Sequence, residues 1–200
     1  SCSVYGKSHD KIQNEKSKCN PLTNYAKSKF KAEKKLKNIA SKKFKIFCFR
    51  FPTACGYSNN FRNDLVLNDF AISAKKNSKI ILKSDGKAYR PFIHVMDMAK
   101  IIKWSLKKEI NNYLILNVGQ KKLNLKIIDC AKIINNIFPK AEININAKNP
   151  TDKRSYTVDF SLCEKLLGRN FFKYKTIKKI GKDLKSNCKK VRLNNLSIYY

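Results

Sequence analysis

Pro21-Leu22-Thr23-Asn24-Tyr25-Ala26-Lys27-Ser28-Lys29 is the stretch whose reading decides the fold. Asn20 is placed to cap a helix and Pro21 is pre-set for its first turn, so a helix to about Lys42 is expected. Tyr25 and Lys29 are four residues apart and share one helical face, a turn from each other. A free phenol ionises near pH ~10, and a neighbouring ammonium favours the phenolate, so such a pair can serve as a base near neutrality. Leu22, Ala26, Leu36 and Ala40 form an apolar stripe at helical spacing, with Lys29 in its middle. The bland alternative pairs Lys29 with Glu33 one turn on and lays the lysine stem over the core.

Working outward, Ser1 to Val4 reads as a strand end and Lys7 to Asn20 as a polar, structureless loop. Phe44 to Phe51 is an apolar run of strand length, interrupted by Lys45 and Arg50 and closed by Pro52. Strand, long helix, strand is the pattern of parallel α/β structure. Further on, Thr53 to Asn60 reads as a loop and Phe61 to Lys76 as a helix with Leu65, Val66, Asp69, Phe70 and Ile72 inward. Lys79 to Leu82 and Tyr89 to His94 read as strands joined by the Ser84-Asp85-Gly86 turn. Met96 to Lys108 is an amphipathic helix with Met98, Ile101, Ile102, Trp104 and Leu106 as its apolar members, and Tyr113 to Val118 a buried strand. Asn124 is placed to cap a helix that Pro139 stops, Glu142 to Asn146 alternates like an edge strand, and Tyr156 to Asp159 is a short strand. A helix ending at Gly168 and a last one over Thr176 to Asn187 precede a basic tail.

A net charge of +30 would ordinarily raise a nucleic-acid or anionic-lipid partner. Here only six of the 44 basic residues are Arg and the lysines run along nearly the whole length, which reads as a solvated basic surface. Neither a nucleic-acid nor a membrane partner is therefore expected. Seven cysteines, with no Cys-x-x-Cys pair and no His at ligand spacing, suggest reduced thiols in a cytoplasm and no metal site.

Four more segments accompany the Tyr25 stretch in order: Ser1-Cys2-Ser3-Val4-Tyr5-Gly6 upstream, then Phe49-Arg50-Phe51-Pro52-Thr53-Ala54-Cys55-Gly56, Arg90-Pro91-Phe92-Ile93-His94-Val95-Met96-Asp97 and Leu116-Asn117-Val118-Gly119. With Arg154-Ser155-Tyr156-Thr157-Val158-Asp159 they resemble the extended short-chain dehydrogenase/reductases, the nucleotide-sugar epimerase and dehydratase family. The resemblance implies an α/β fold: a partial doubly wound Rossmann-type parallel sheet with a smaller α/β substrate-binding domain. Residues 1–60 and 95–120 would belong to the dinucleotide-binding domain, 61–94 and 121–187 to the nucleotide-sugar-binding domain, and 188–200 to the basic tail. A Gly-rich phosphate loop opens that family's proteins upstream of the catalytic Ser, whereas the six glycines here form no Gly-x-Gly-x-x-Gly. The chain accordingly reads as the C-terminal part of a longer enzyme. NAD is the implied cofactor, with NADP left open, a nucleotide-diphosphate sugar the implied substrate, and a homodimer through the Tyr25 helix the implied assembly.

By the same resemblance Tyr25 is the base that takes a sugar hydroxyl proton as hydride leaves for the nicotinamide, Lys29 holds the nicotinamide ribose, and Ser1 hydrogen-bonds the sugar oxygen. Pro52 and Thr53 would border the cofactor, and Thr53, Arg62, Arg90 and Arg154 the substrate. Arginine forks phosphate oxygens bidentately, which gives Arg90 and Arg154 an independent reason to stand in a lysine-rich chain; surface ion pairs with Asp97 or Asp152 are the alternative. Cys2 and Ser3 occupy the positions where the 4,6-dehydratase branch carries an acidic pair, so epimerisation or redox at a sugar carbon, C4 in the first instance, is preferred to dehydration. A dehydratase or reductase of the same family, and a non-catalytic basic binding protein, are the competing readings. His94, between Ile93 and Val95, reads as a packed structural histidine.

Overall fold

The computed structural model describes residues 1–8, 12–146 and 154–191. Thr23, not Asn20, starts the first helix: its hydroxyl accepts the Ala26 amide at 3.1 Å, and α1 runs Asn24–Ile39. After it come β1 (Ile46–Arg50), β2 (Thr53–Cys55), α2 (Val66–Asn77), β3 (Lys79–Leu82), β4 (Tyr89–His94), α3 (Val95–Ser105) and β5 (Tyr113–Asn117). The chain continues through β6 (Asn124–Lys126), α4 (Ile127–Ile137), β7 (Glu142–Ile145), α5 (Ser161–Leu167) and α6 (Ile177–Asn187).

β1 and β5 pair in parallel from Ile46↔Tyr113 to Arg50↔Asn117, in keeping with the expected α/β class, though not with a strand at Ser1 to Val4. β2 lies parallel to β4, with Thr53 opposite Phe92, and β4 takes β6 antiparallel on its other edge. β3 pairs in parallel with β7. β3 and β4 have the expected bounds and are separated by Ser84-Asp85-Gly86, but they do not pair with each other; each finds a partner distant in sequence. Asn124 does not cap α4 either; its side chain donates to the Val158 carbonyl and accepts the Val158 amide, both at 2.9 Å, and so ties β6 to the segment before α5.

Two apolar cores result. One gathers Cys2, Tyr5, Ile93, Ile101, Leu116, Val118, Phe160 and Cys163 around the β1/β5 pair; the other gathers Leu67, Phe70, Ile80, Phe92, Ile134, Ile180 and Leu184 between α2, α4 and α6. Helix α3 departs from expectation. Ile101 and Asp97 are buried, while Ile102 is 48% and Leu106 82% exposed, because α3 turns Ile101 and Asp97 to the protein and the other two to solvent. All seven cysteines are unbridged, and burial pushes the Cys2 and Cys130 thiols up to about 12, which keeps them protonated. Among the described residues no helix is long and apolar enough to cross a membrane.

Candidate active site

Helix α1 faces the protein with Ala26 and Glu33, flanked by half-buried Phe30 and Leu36. This is a rotation from the expected stripe: Leu22 is 41% exposed and Lys29 lies on the open side. The cause is Arg50. Its guanidinium, 3% exposed, donates through Nε to both Glu33 oxygens at 3.2 and 3.1 Å and through Nη2 to Oε2 at 2.7 Å. A buried carboxylate has to be paired, and Arg50 at the end of β1 pairs this one, so the helix rotates to bring Glu33 inward.

Arg50 Nη1 donates to the Tyr5 hydroxyl at 2.9 Å, and that hydroxyl lies 2.7 Å from Asn117 Oδ1 on β5. Burial by itself would lower the Arg50 pKa, but its hydrogen bonds to Glu33 and its proximity to the Tyr5 oxygen reverse the direction and keep it charged. For Tyr5 burial dominates and pushes the phenol well above 10, which removes it as a candidate base. Tyr25 is differently placed. It is 57% exposed, with Lys29 Nζ 5.4 Å from its ring centroid, and among the described residues no carboxylate pairs with Lys29. The alternative pairing of Lys29 with Glu33 is therefore not made.

Ser1 lies in a 3-10 turn, Cys2–Tyr5, where a strand end was expected. The turn packs against α1; Ser1 Oγ sits 2.9 Å from Ser3 Oγ, and the Cys2 amide donates to the Phe51 carbonyl at 2.9 Å. Buried Pro52 joins β1 to β2, and half-buried Thr53 opens β2. Arg62 is on the loop before α2, where Asp64 takes its Nε at 2.6 Å and Nη2 at 2.5 Å; that pairing holds the Asp64 carboxyl below its usual range.

Arg90 is buried, donates through Nη1 to the Tyr89 carbonyl at 2.9 Å, and lies 5.4 Å from the Tyr156 ring centroid. Arg154 is exposed and begins a segment that runs beside β4: the Tyr156 amide donates to the Tyr89 carbonyl at 3.3 Å and the Tyr89 amide to Ser155 Oγ at 3.1 Å. Sixty-odd residues apart in sequence, the two arginines are thereby brought to one edge. Asp97, the expected competitor for Arg90, instead accepts the Lys173 and Tyr174 amides at 2.9 Å each; Asp152 lies outside the described residues. Two surface depressions, one lined by Lys42, Lys45 and Glu109 and one by Leu125, Ile133 and Ile177, hold none of these side chains.

Residues 1–119 match the NAD dependent epimerase/dehydratase family. The chain belongs to that family. The match takes in Ser1, Tyr25, Lys29, Pro52, Thr53, Arg62 and Arg90, and stops short of Arg154. Solved structures similar to this family member include an NAD-dependent NDP-hexosamine 5,6-dehydratase of tunicamycin biosynthesis, at 19% identity and TM-score 0.79, covering 96% of this chain and 62% of that one. The UDP-glucuronic acid 4-epimerase of Bacillus cereus, solved with UDP-glucuronic acid and NAD, matches at 20% identity and TM-score 0.77, over 94% and 59%. The UDP-N-acetylglucosamine 4-epimerase of Methanobrevibacter ruminantium M1 matches at 23% and 0.74, over 92% and 61%. At such identities the likeness shows the shared Rossmann-type fold, and this chain spans about three-fifths of their length.

Sequence reasoning missed the Arg50 to Glu33 pairing. Two signals for it were present: Glu33 is the one acidic residue of α1, and Arg50 is one of six arginines in the chain.

Proposed function

We propose that this chain carries the proton-transfer residues and the nucleotide-sugar site of an NAD(P)-dependent nucleotide-sugar epimerase or oxidoreductase acting at a sugar carbon, C4 first among them. Residues 1–60 and 95–120 serve the dinucleotide side and residues 61–94 and 121–187 the sugar-nucleotide side. The observation that carries the reading is the withdrawal of Glu33 by Arg50, which leaves the Lys29 ammonium beside Tyr25 on an open flank of α1.

An ammonium without a carboxylate partner and an exposed phenol are a donor set suited to ribose and sugar hydroxyls, so the nicotinamide end of a dinucleotide fits here. Pro52 and Thr53 would border it. When bound, the nicotinamide supplies the hydride acceptor. Tyr25 takes the proton from the sugar hydroxyl at its phenol oxygen, Lys29 orients the ribose, and Ser1 steers the hydroxyl proton towards Tyr25. Arg90 and Arg154 clamp the diphosphate of the substrate, and Arg62 adds a contact once it exchanges Asp64 for substrate. The chain has no Gly-x-Gly-x-x-Gly loop, so these 200 residues alone hold a dinucleotide weakly and turn over little substrate. The reading includes a cytoplasmic setting and a homodimer through α1, whose exposed Lys27, Lys31, Lys34 and Lys35 make association tighter as salt screens them.

Calorimetric titration of the chain with a panel of UDP-, dTDP- and GDP-sugars tests this. Binding that falls about tenfold or more in Arg90→Lys and in Arg154→Lys supports it. Affinity indifferent to both substitutions overturns it. The same α1 lysines favour a second reading, a polyanion binder: it requires single-stranded DNA or anionic vesicles to bind with an affinity that drops steeply with salt and ignores Arg154→Lys.

A further inference from the structure

A second buried ionisable cluster stands where β4 runs into α3. His94 is 1% exposed. Its Nδ1 accepts the Met96 amide at 3.1 Å, filling the N-cap of α3, and its Nε2 lies 3.0 Å from Asp183 Oδ2 on α6. These two contacts fix the neutral ring with its proton on Nε2. Tyr174 stacks on the imidazole at 3.5 Å between centroids and 8° between planes, and its hydroxyl donates to Asp183 Oδ1 at 3.3 Å. The loop after β2 closes the other side: Gly56, at φ +99°, comes so near that an added Cβ would lie 2.1 Å from His94 Nε2. The Gly56 amide donates to Asn68 Oδ1 at 2.9 Å, and the Tyr57 amide to Asp183 Oδ2 at 3.4 Å. One imidazole thus joins β4, α3, α6, the loop at Gly56 and Tyr57, and the Lys173 to Tyr174 segment.

We propose that His94 and Asp183 are positioning residues that seat helix α6 and the loop after β2 on the sheet, and that proton uptake at His94 Nδ1 unseats them. A proton on Nδ1 would point an N–H at the Met96 N–H, so the α3 cap is lost while a new charge sits in a buried site. The groups facing the ring are Asp183 from α6, Asp97 from α3, and Lys173 and Tyr174 from the loop; on β2, opposite His94 in register, the Cys55 thiol donates to the Ile93 carbonyl at 3.2 Å and burial keeps it protonated. Burial is the largest influence and, with Lys173, outweighs the two carboxylates, so the His94 pKa lies below 6.5. A depressed folded value means that the neutral ring's stabilisation is complete above the unfolded pKa and is lost as pH falls through the folded one. The loop leads on from Thr53; that its seating matters for substrate rests on the proposed function, whereas the seating itself does not.

The chain has two histidines, His9 and His94, so proton NMR follows both rings, with His9→Asn giving the assignment. The His94 midpoint is expected below 6.5. Amide exchange, corrected for its intrinsic pH dependence, is expected to show protection of Gly56, Tyr57 and the α6 backbone falling about tenfold or more between about pH 7.5 and about pH 5. That fall is expected to vanish in His94→Asn, which keeps an acceptor for the Met96 amide, and in His94→Gln, which keeps a donor to Asp183. Asp183→Asn should move the His94 midpoint further down, and it carries the test if either His94 variant fails to fold. A midpoint at or above 6.5, or a pH dependence that survives both His94 substitutions, overturns the proposal. No substrate enters these measurements, so their failure is separate from any failure of the enzymatic reading.

Discussion

Helices α1 and α6 are built alike and anchored differently. Each is rich in lysine, each has a single carboxylate, and each turns it inward onto a basic residue at the end of a strand: Glu33 onto Arg50 at the end of β1, Asp183 onto His94 at the end of β4. The difference lies in the partner. Arg50 is permanently charged and forks Glu33 through three contacts at a site 3% exposed, so the basic partner of the α1 anchor keeps its charge through neutrality. His94 is neutral when seated and can gain a proton, and the Asp183 side chain is 19% exposed, so the α6 anchor responds to acid. In a chain of net charge +30, the carboxylates of both helices serve to fix rotation and leave the outward faces to lysine.

The largest effect is expected at the permanent anchor. Arg50→Met strands a buried Glu33 and should cost about 3–5 kcal/mol in denaturant unfolding, with part of the loss restored by adding Glu33→Gln. Equal losses in the single and double variants would show that the pairing does not hold α1. Next comes Gly56→Ala, which sets a Cβ against His94 at a left-handed φ; about 1–3 kcal/mol is expected, read as a lowered melting temperature. Smaller again is the acid response: the wild-type melting temperature should drop as pH falls below 6.5 by more than that of His94→Asn. Smallest are Tyr25→Phe and Lys29→Met, on the open flank of α1. Both should leave stability within about 0.5 kcal/mol, and a larger loss would mean that this flank is packed in solution.

Much of the chain could be read in advance wherever the signal is local. β3 and β4 have the expected bounds, the helix at Tyr25 and the strand after it form, and Tyr25 and Lys29 stand side by side, although Ser1 to Val4 makes a 3-10 turn and the strand after the helix takes β5 as its parallel partner. Pairing was another matter. Ser84-Asp85-Gly86 is chemically a turn, yet β3 takes β7 and β4 takes β2 and β6, since partner choice depends on what the helices between them cover. Asn124 has the composition of a cap, but Val158, 34 residues away, claims its side chain. In α3, Ile102 and Leu106 fit the helical period as well as Ile101 does, and only the packing of α3 on β4 distinguishes the buried residue from the exposed ones.

By itself the sequence determined the order and kind of most elements and which side chains on one helix are neighbours, because backbone geometry fixes the angle between residues three and four apart. Tertiary structure alone decided the absolute rotation of each helix, and with it which charges face inward. Arg50 sits on a strand 17 residues after Glu33 and His94 on one 89 residues before Asp183, and no local rule carries that information. Glu33 and Asp183 turn in because leaving Arg50 or His94 buried without a partner would cost more than the rotation does.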